Sequence, residues 1–151
     1  MTTNEMIIVR GIPGSGKSFK SKQLAPISNI FSTDSYWLNE KNEYVFDRAK
    51  LHTAHKWNIA RVETALQEHK TPIVIDNTNI TKKEYKPYIL LAYKYNYAIT
   101  YALPDSPWFL DILPRLRDQT FTDADVHIFF EKNSHDVPFE VIKNMMKNWE
   151  E

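Results

Sequence analysis

The amino-acid sequence predicts an α/β fold, a largely parallel sheet of four or five strands flanked by helices, and three observations carry that expectation. Apolar runs alternate with helix-patterned stretches along the chain, the order that builds a parallel sheet through helical crossovers. All three glycines fall within residues 11–18. Carboxylates follow directly on two of the apolar runs, at Asp34 and Asp76, where open parallel sheets bind their ligands.

The first apolar run, residues 6–10, contains two isoleucines and a valine and reads as a buried strand. It leads into Gly11-Ile12-Pro13-Gly14-Ser15-Gly16-Lys17-Ser18, which fits the phosphate-cradling pattern G-x-x-x-x-G-K-[ST] without a mismatch. Average residue frequencies produce that pattern by accident in about one chain in two hundred of this length. Residues without Cβ can turn their amides inward as an anion nest, and the helix expected over residues 17–24 offers its positive end to the same anion. The sheet is therefore of the P-loop NTPase type, with Gly11, Pro13, Gly14, Ser15, Gly16, Lys17 and Ser18 expected around ATP. Lys17 neutralises the β and γ phosphates, and the Ser18 hydroxyl is a ligand for Mg²⁺.

The remaining strands are expected at residues 29–32, 72–75 and 97–102. A long helix is expected over 46–68, with apolar or small residues at Leu51, Ala54, Trp57, Val62, Ala65 and Leu66, and another over 82–95. With 151 residues the chain reads as one domain, 1–151, with no room for a separate substrate domain. Any acceptor surface then comes from loops of the nucleotide-binding fold itself.

Composition narrows the function classes. The chain carries 19 Lys and Arg against 19 Asp and Glu, so no global field draws it onto nucleic acid. A nucleic-acid acceptor would be held by a local patch, such as Arg10, Lys17, Lys20 and Lys22 or Lys82, Lys83 and Lys86; the plainer reading of each cluster is a solvated helix face. The absence of cysteine excludes disulfides and thiolate metal sites. No apolar run reaches the ~20 residues that span a bilayer, and residues 1–5 lack the pattern of a secretory signal, so a cytoplasmic location without membrane contact is expected.

The two strand-end carboxylates divide the chemistry. One acid near the γ phosphate accepts the proton of an attacking hydroxyl while another serves the metal, which makes Asp34 the expected base and Asp76 the expected Mg²⁺ residue. Each also has a structural reading, Asp34 as a helix cap and Asp76 in a turn-forming Asp-Asn pair. His52 and His55 stand three apart on a helix, which reads as a structural pair in the absence of a third ligand. Trp37, Tyr36 and Trp108 are candidates for stacking a base, or pack in the core or rim.

Gly11 to Ser18, Ser32-Thr33-Asp34 and Ile75-Asp76-Asn77-Thr78-Asn79 together resemble the polynucleotide 5′-kinase-like P-loop proteins, a group including the kinase domain of phage polynucleotide kinase and the P-loop module of NEDD4-binding proteins. The similarity extends to Ala54-His55-Lys56-Trp57-Asn58, Lys86-Pro87-Tyr88, Pro104-Asp105-Ser106-Pro107-Trp108 and Asn133-Ser134-His135-Asp136-Val137-Pro138. The resemblance implies transfer of the ATP γ-phosphoryl group to the 5′-hydroxyl of DNA or RNA. It places Lys17 and Asp34 in catalysis, with Asp34, Trp37, Asn77 and Asn79 towards the acceptor, and a helical lid over about 106–137.

The chain departs from the family pattern where Ser35 replaces a second acid, where Trp37 replaces a phosphate-binding arginine, and where Lys132 replaces the lid arginine. The segment between Trp108 and the Asn133 motif is also longer than the family's. Within it Arg117, which an ungapped count from Trp108 puts at the lid position, is expected to supply the missing charge, with Lys132 as the other catalytic candidate. His135 is expected either to touch substrate or nucleotide, or to serve as a cap. A small-molecule kinase acting on a nucleoside, sugar or antibiotic, and an ATP-binding module without transfer, are the alternatives to a polynucleotide kinase.

Overall fold

The computed structural model describes residues 3–151. Four strands, β1 (Glu5–Val9), β2 (Ile30–Phe31), β3 (Ile73–Asp76) and β4 (Ala98–Ala102), form one sheet in the order β2-β3-β1-β4, and every pairing is parallel. The helices are α1 (Lys17–Leu24), α2 (Leu51–Gln67), α3 (Lys82–Lys94), α4 (Pro107–Asp118), α5 (Asp123–Lys132) and α6 (Phe139–Lys147). All four expected strands are present. Val9 pairs with both Asp76 and Ala102, so the strands end level along one edge of the sheet.

Alternation along β1 explains the layers. Met6 and Ile8 face a core shared with Phe31, Ile73 and Ile75 and with Val62, Leu66, Tyr85, Tyr88 and Ala92 from α2 and α3. Ile7 and Val9 face the opposite way, onto Val74 and Ala25 at the end of α1. A second large core, built from Ile12, Ile80, Phe109, Ile112, Leu116, Val126, Phe129, Ile142 and Met146, joins α4, α5 and α6 to the phosphate loop. The segment expected as a lid is thus helical and has its own packed interior.

The long helix begins later than expected, at Leu51 rather than residue 46. Val45 donates its amide to the Trp37 carbonyl, Tyr44 bridges to Leu38, and the Asp47 side chain caps the Ala49 amide. Those bonds hold residues 44–47 extended and use the groups that another helical turn would need. Among the described residues no helix is long and apolar enough to cross a membrane.

Arg10 is neither a solvated charge nor part of a nucleic-acid patch, which corrects one of the two expected clusters. It is buried, and its guanidinium donates to the carbonyls of Asn79 (2.8 Å), Ile80 (3.0 Å) and Glu150 while lying 4.5 Å over the Trp149 ring. The end of β1, the turn after β3 and the C-terminal segment are fastened by this one side chain. Arg10→Met should leave buried carbonyls unpaired, each costing about 1–3 kcal/mol, and so lower the unfolding free energy by about 3 kcal/mol in urea titration. A loss under about 1 kcal/mol would mean that water replaces the guanidinium without penalty.

Candidate active site

The phosphate loop is held open by contacts to its outer side. Gly14 and Gly16 adopt φ values of 81° and 97°, a left-handed backbone that favours glycine. The Gly14 carbonyl accepts from Trp108 Nε1 at 2.8 Å, and the Ser15 carbonyl accepts from Ser106 Oγ at 2.8 Å. With these carbonyls turned towards the start of α4, the amides of Gly14, Gly16, Lys17 and Ser18 find no acceptor among the described residues. A Cβ on Gly11 would come 2.5 Å from Ser15 Oγ and 2.9 Å from Pro104, so a side chain there would crowd the loop. Unsatisfied inward amides at a helix start are the donor set that a phosphate chain fits.

A half-buried lysine and a buried carboxylate stand beside the nest. Lys17, the first residue of α1, makes no ion pair among the described residues, and burial holds its ammonium below the ordinary lysine range against the opposing pull of Asp76 and Asp34. Asp76, at the end of β3 and 7% exposed, is pushed above the ordinary carboxylate range by burial, an effect that the neighbouring Lys17 ammonium only partly offsets. The two groups attract, yet desolvation outweighs the attraction on both sides. An anion would offset the desolvation of the Lys17 ammonium, and a cation that of the Asp76 carboxylate. The Ser18 hydroxyl and the Asp76 carboxylate are hard oxygen donors that suit Mg²⁺, which keeps several waters and needs few protein ligands. Consistent with that sparse donor set, no group of three or more His, Asp or Glu capable of holding a metal occurs among the described residues.

Asp34 lies in the short turn after β2, where its amide donates to Ser32 Oγ at 3.1 Å. Ser32, not Asp34, is therefore the cap. Asn77, just past β3, accepts the Thr33 amide on its Oδ1 at 2.8 Å and so pins the Asp34 turn to the neighbouring strand. The Asp34 side chain is 55% exposed. Lys17, Asp34 and Asp76 are close enough for each carboxylate to act on the lysine's protonation, and Asp34 also acts on Asp76.

Other expected site residues are placed differently. Asn79 is buried and donates its side-chain amide to the Val9 carbonyl at 2.8 Å, so it ties strand to turn and is withdrawn from any acceptor. Trp37 is 4% exposed, packed edge-on against Tyr36 and Phe46, which corrects its expected role in stacking a base. Arg117 pairs with Glu151 at 2.6 Å. It lies nine residues beyond Trp108 on one helix, about 14 Å along the axis at 1.5 Å per residue, because the inserted segment extends α4 away from the loop. Arg115 is likewise committed, to Asp111 and Asp125. Lys132 instead holds Nζ 4.1 Å from the centroid of Trp108, the ring that binds Gly14. His55 sits 3.5 Å from Thr33 Oγ1 and has no metal partner among the described residues.

Two further features were not legible in sequence order. A cavity of about 320 Å³ opens beside Gly16, lined by Phe19, Asp105, Ser106, Pro107 and Trp108. Tyr44 reaches the site from a loop with no motif of its own, stacking on His135 at 4.3 Å, and His135 Nε2 lies 3.6 Å from Asp34 Oδ2. Only the resemblance of the Asn133 motif had pointed to His135; nothing had pointed to Tyr44.

Comparisons with known proteins agree with this architecture. A family model described as an AAA domain matches residues 6–151. Human NEDD4-binding protein 2 is 41% identical over 106 residues, which cover 68% of this chain and 6% of that protein, so the chain corresponds to a small part of that relative. A chain in the structure of the Pnkp1/Rnl/Hen1 RNA repair complex is similar with a TM-score of 0.63 and 19% identity, over 98% of this chain and 44% of that one. A chain in the crystal structure of AvrRxo1-ORF1:-ORF2 with ATP is similar with a TM-score of 0.54 and 18% identity, over 95% and 46%. At such identities the two structures speak to the fold alone. A match across almost the whole chain, on a parallel sheet that carries an intact phosphate loop, makes this protein a member of the AAA domain family.

Proposed function

We propose that this domain transfers the γ-phosphoryl group of ATP to a hydroxyl acceptor, and that the acceptor is the 5′-hydroxyl end of a polynucleotide. The observation that carries the reading is the exposed Asp34 carboxylate, on a turn whose backbone Ser32 and Asn77 brace at the sheet edge that also holds the unpaired amides and Lys17. The 5′-terminal specificity rests on the resemblance of the Gly11–Ser18, Ser32–Asp34 and Ile75–Asn79 motifs. A small hydroxyl compound is the second reading, favoured by equal numbers of acidic and basic residues and by a buried Trp37 where the phage enzyme places an arginine.

In the proposed reaction the acceptor oxygen bonds to Pγ, the bond from Pγ to the bridging oxygen breaks, ADP leaves, and the acceptor's proton passes to Asp34. The loose transition state of phosphoryl transfer asks mainly for positioning, so an aspartate needs no large change in basicity. The amides of Gly14, Gly16, Lys17 and Ser18 hold the phosphate chain, and the Lys17 ammonium neutralises charge at its β and γ groups. Mg²⁺ held by Ser18 and Asp76 would supply further charge neutralisation at the phosphate oxygens. Lys132 is the lid cation in this reading, a point charge rather than a fork, and it replaces Arg117 in that role. The nucleotide base occupies the cavity beside Phe19.

Labelled ATP and Mg²⁺ offered with a 5′-hydroxyl oligonucleotide, and separately with a panel of nucleosides and sugars, should label the oligonucleotide; label confined to the panel would establish the second reading. Asp34→Asn should lower transfer at least about 10²-fold, the usual contribution of a positioned base. Calorimetry on the same variant should show unchanged ATP affinity, whereas Phe19→Ala should weaken it. Lys132→Ala should cost up to about 10³ in rate, as loss of a transition-state cation does, and Arg117→Ala less than about tenfold; the reverse order would restore Arg117 to the site. For Asp76 the sign follows from its raised pKa. The ionised carboxylate costs the folded chain stability as pH rises through its titration, so Asp76→Asn should raise the melting temperature of the ligand-free protein at neutral pH by about 2–4 °C. The same variant should lose the Mg²⁺-dependent part of the stabilisation by ATP, and a variant that keeps it would remove Asp76 from the metal site.

A further inference from the structure

Asp34 is reached by side chains from two loops that lie far apart in sequence. His135 follows α5 in the loop over residues 133–138 and places Nε2 3.6 Å from Asp34 Oδ2. Tyr44 lies on the turn between β2 and α2 and stacks on the His135 ring, with centroids 4.3 Å apart and planes within 19° of parallel. Both loops are internally braced. Asn39 Oδ1 accepts the amides of Lys41 and Glu43 at 2.8 and 2.9 Å, which shapes the turn that presents Tyr44. Asn133 Oδ1 accepts the Val137 amide at 2.8 Å, closing the loop that presents His135. Such bracing fixes the rings before any substrate arrives.

The His135 loop is also in contact with the phosphate loop. A Cβ placed on Gly14 would lie 2.7 Å from the Phe129 carbonyl oxygen, 3.0 Å from the Asn133 nitrogen and 3.1 Å from the Lys132 carbonyl carbon. The end of α5 therefore rests on the phosphate loop at Gly14, and two residues further on the same strand of chain touches the aspartate. A carboxylate on an exposed turn rotates freely about its χ angles unless something on its outer side holds it, and Ser32 and Asn77 hold only the backbone.

We propose that His135, steadied by the Tyr44 ring, is a positioning residue that orients the Asp34 carboxylate towards the acceptor hydroxyl and links that orientation to the phosphate loop through Gly14. The proposal rests on the reading of Asp34 as the base. At 3.6 Å the contact is longer than a direct hydrogen bond, so His135 acts on the carboxylate through space, by the placement of its ring, and is not itself a proton acceptor from substrate. Tyr44 acts through His135: burial, and then the charge of Asp34, raises its phenol above the ordinary tyrosine range and keeps it protonated. The functional part of Tyr44 is its ring. Misplacing a reacting group by about 1 Å can cost about 10²-fold in rate, which is the scale on which such a pair matters.

A double-mutant cycle measured at saturating ATP and oligonucleotide tests the arrangement. His135→Ala should lower kcat at least about tenfold with ATP affinity and melting temperature unchanged, and Tyr44→Phe, which keeps the stacked ring, should stay within about twofold of wild type. Tyr44→Leu should lose most of what His135→Ala loses, and the double variant should be no slower than His135→Ala alone. A His135→Ala rate within about threefold of wild type, or losses that multiply in the double variant, would overturn the proposal. A second readout needs no acceptor. The His135 imidazole NMR signals, identified by their absence in His135→Ala, should move in Asp34→Asn and in Tyr44→Leu, and signals that stay in place in Asp34→Asn would overturn the contact. If wild type binds ATP but labels no oligonucleotide, the proposed acceptor fails, and the NMR arm still decides whether His135 is seated on Asp34.

Discussion

The left-handed turn at Gly14 and Gly16 is the constraint on which the rest of the molecule depends. It can form because neither residue has a Cβ, and it is kept open because Trp108 and Ser106 take the outward carbonyls. Its cost is a set of unsatisfied amides at the start of α1, which in a ligand-free domain must face water or an anion. Both large cores are organised around that turn. The core between the sheet and α2 and α3 anchors β1, which leads into it, while Ile12 inside it joins the core under α4, α5 and α6.

The charges at the sheet edge follow from the same geometry. Level strand ends bring Asp76 beside the start of α1 and Asp34 onto the adjoining turn, so three ionisable groups meet where apolar strands have just ended. Burial works against the charge of both Lys17 and Asp76, a cost that the triphosphate and cation of the proposed reaction would offset. Stability and the proposed function pull against each other most at Asp76, where an ionised carboxylate is costly to the folded chain and, in the proposed reaction, would hold the metal.

Residues of the same chemical type divide into structural and site-facing ones for reasons that lie in packing. Arg10 is a cationic side chain like Lys17, yet its guanidinium finds three carbonyls and a tryptophan face and is taken up by them. Asn77 and Asn79 differ by two positions; one braces the Asp34 turn, the other is buried against Val9. Among the cations after Trp108, Arg117 is carried away along α4, and Lys132 returns to Trp108 because α5 runs back towards the loop. Counting along the chain cannot see that reversal.

By itself the sequence determined whatever depends on local geometry. The four strands follow from apolar runs, the phosphate loop from glycine spacing, α1 and α3 from helix-compatible stretches beside those strands, and the positions of Asp34 and Asp76 from the strand ends they follow. Each of these is dictated by a few consecutive residues. Tertiary structure alone decided the strand order, the late start of α2, the withdrawal of Trp37 and Asn79 from the site, and the meeting of Tyr44 with His135 across Asp34. Those outcomes depend on which distant segments compete for the same buried space and the same hydrogen-bond partners, and no local pattern encodes the winner.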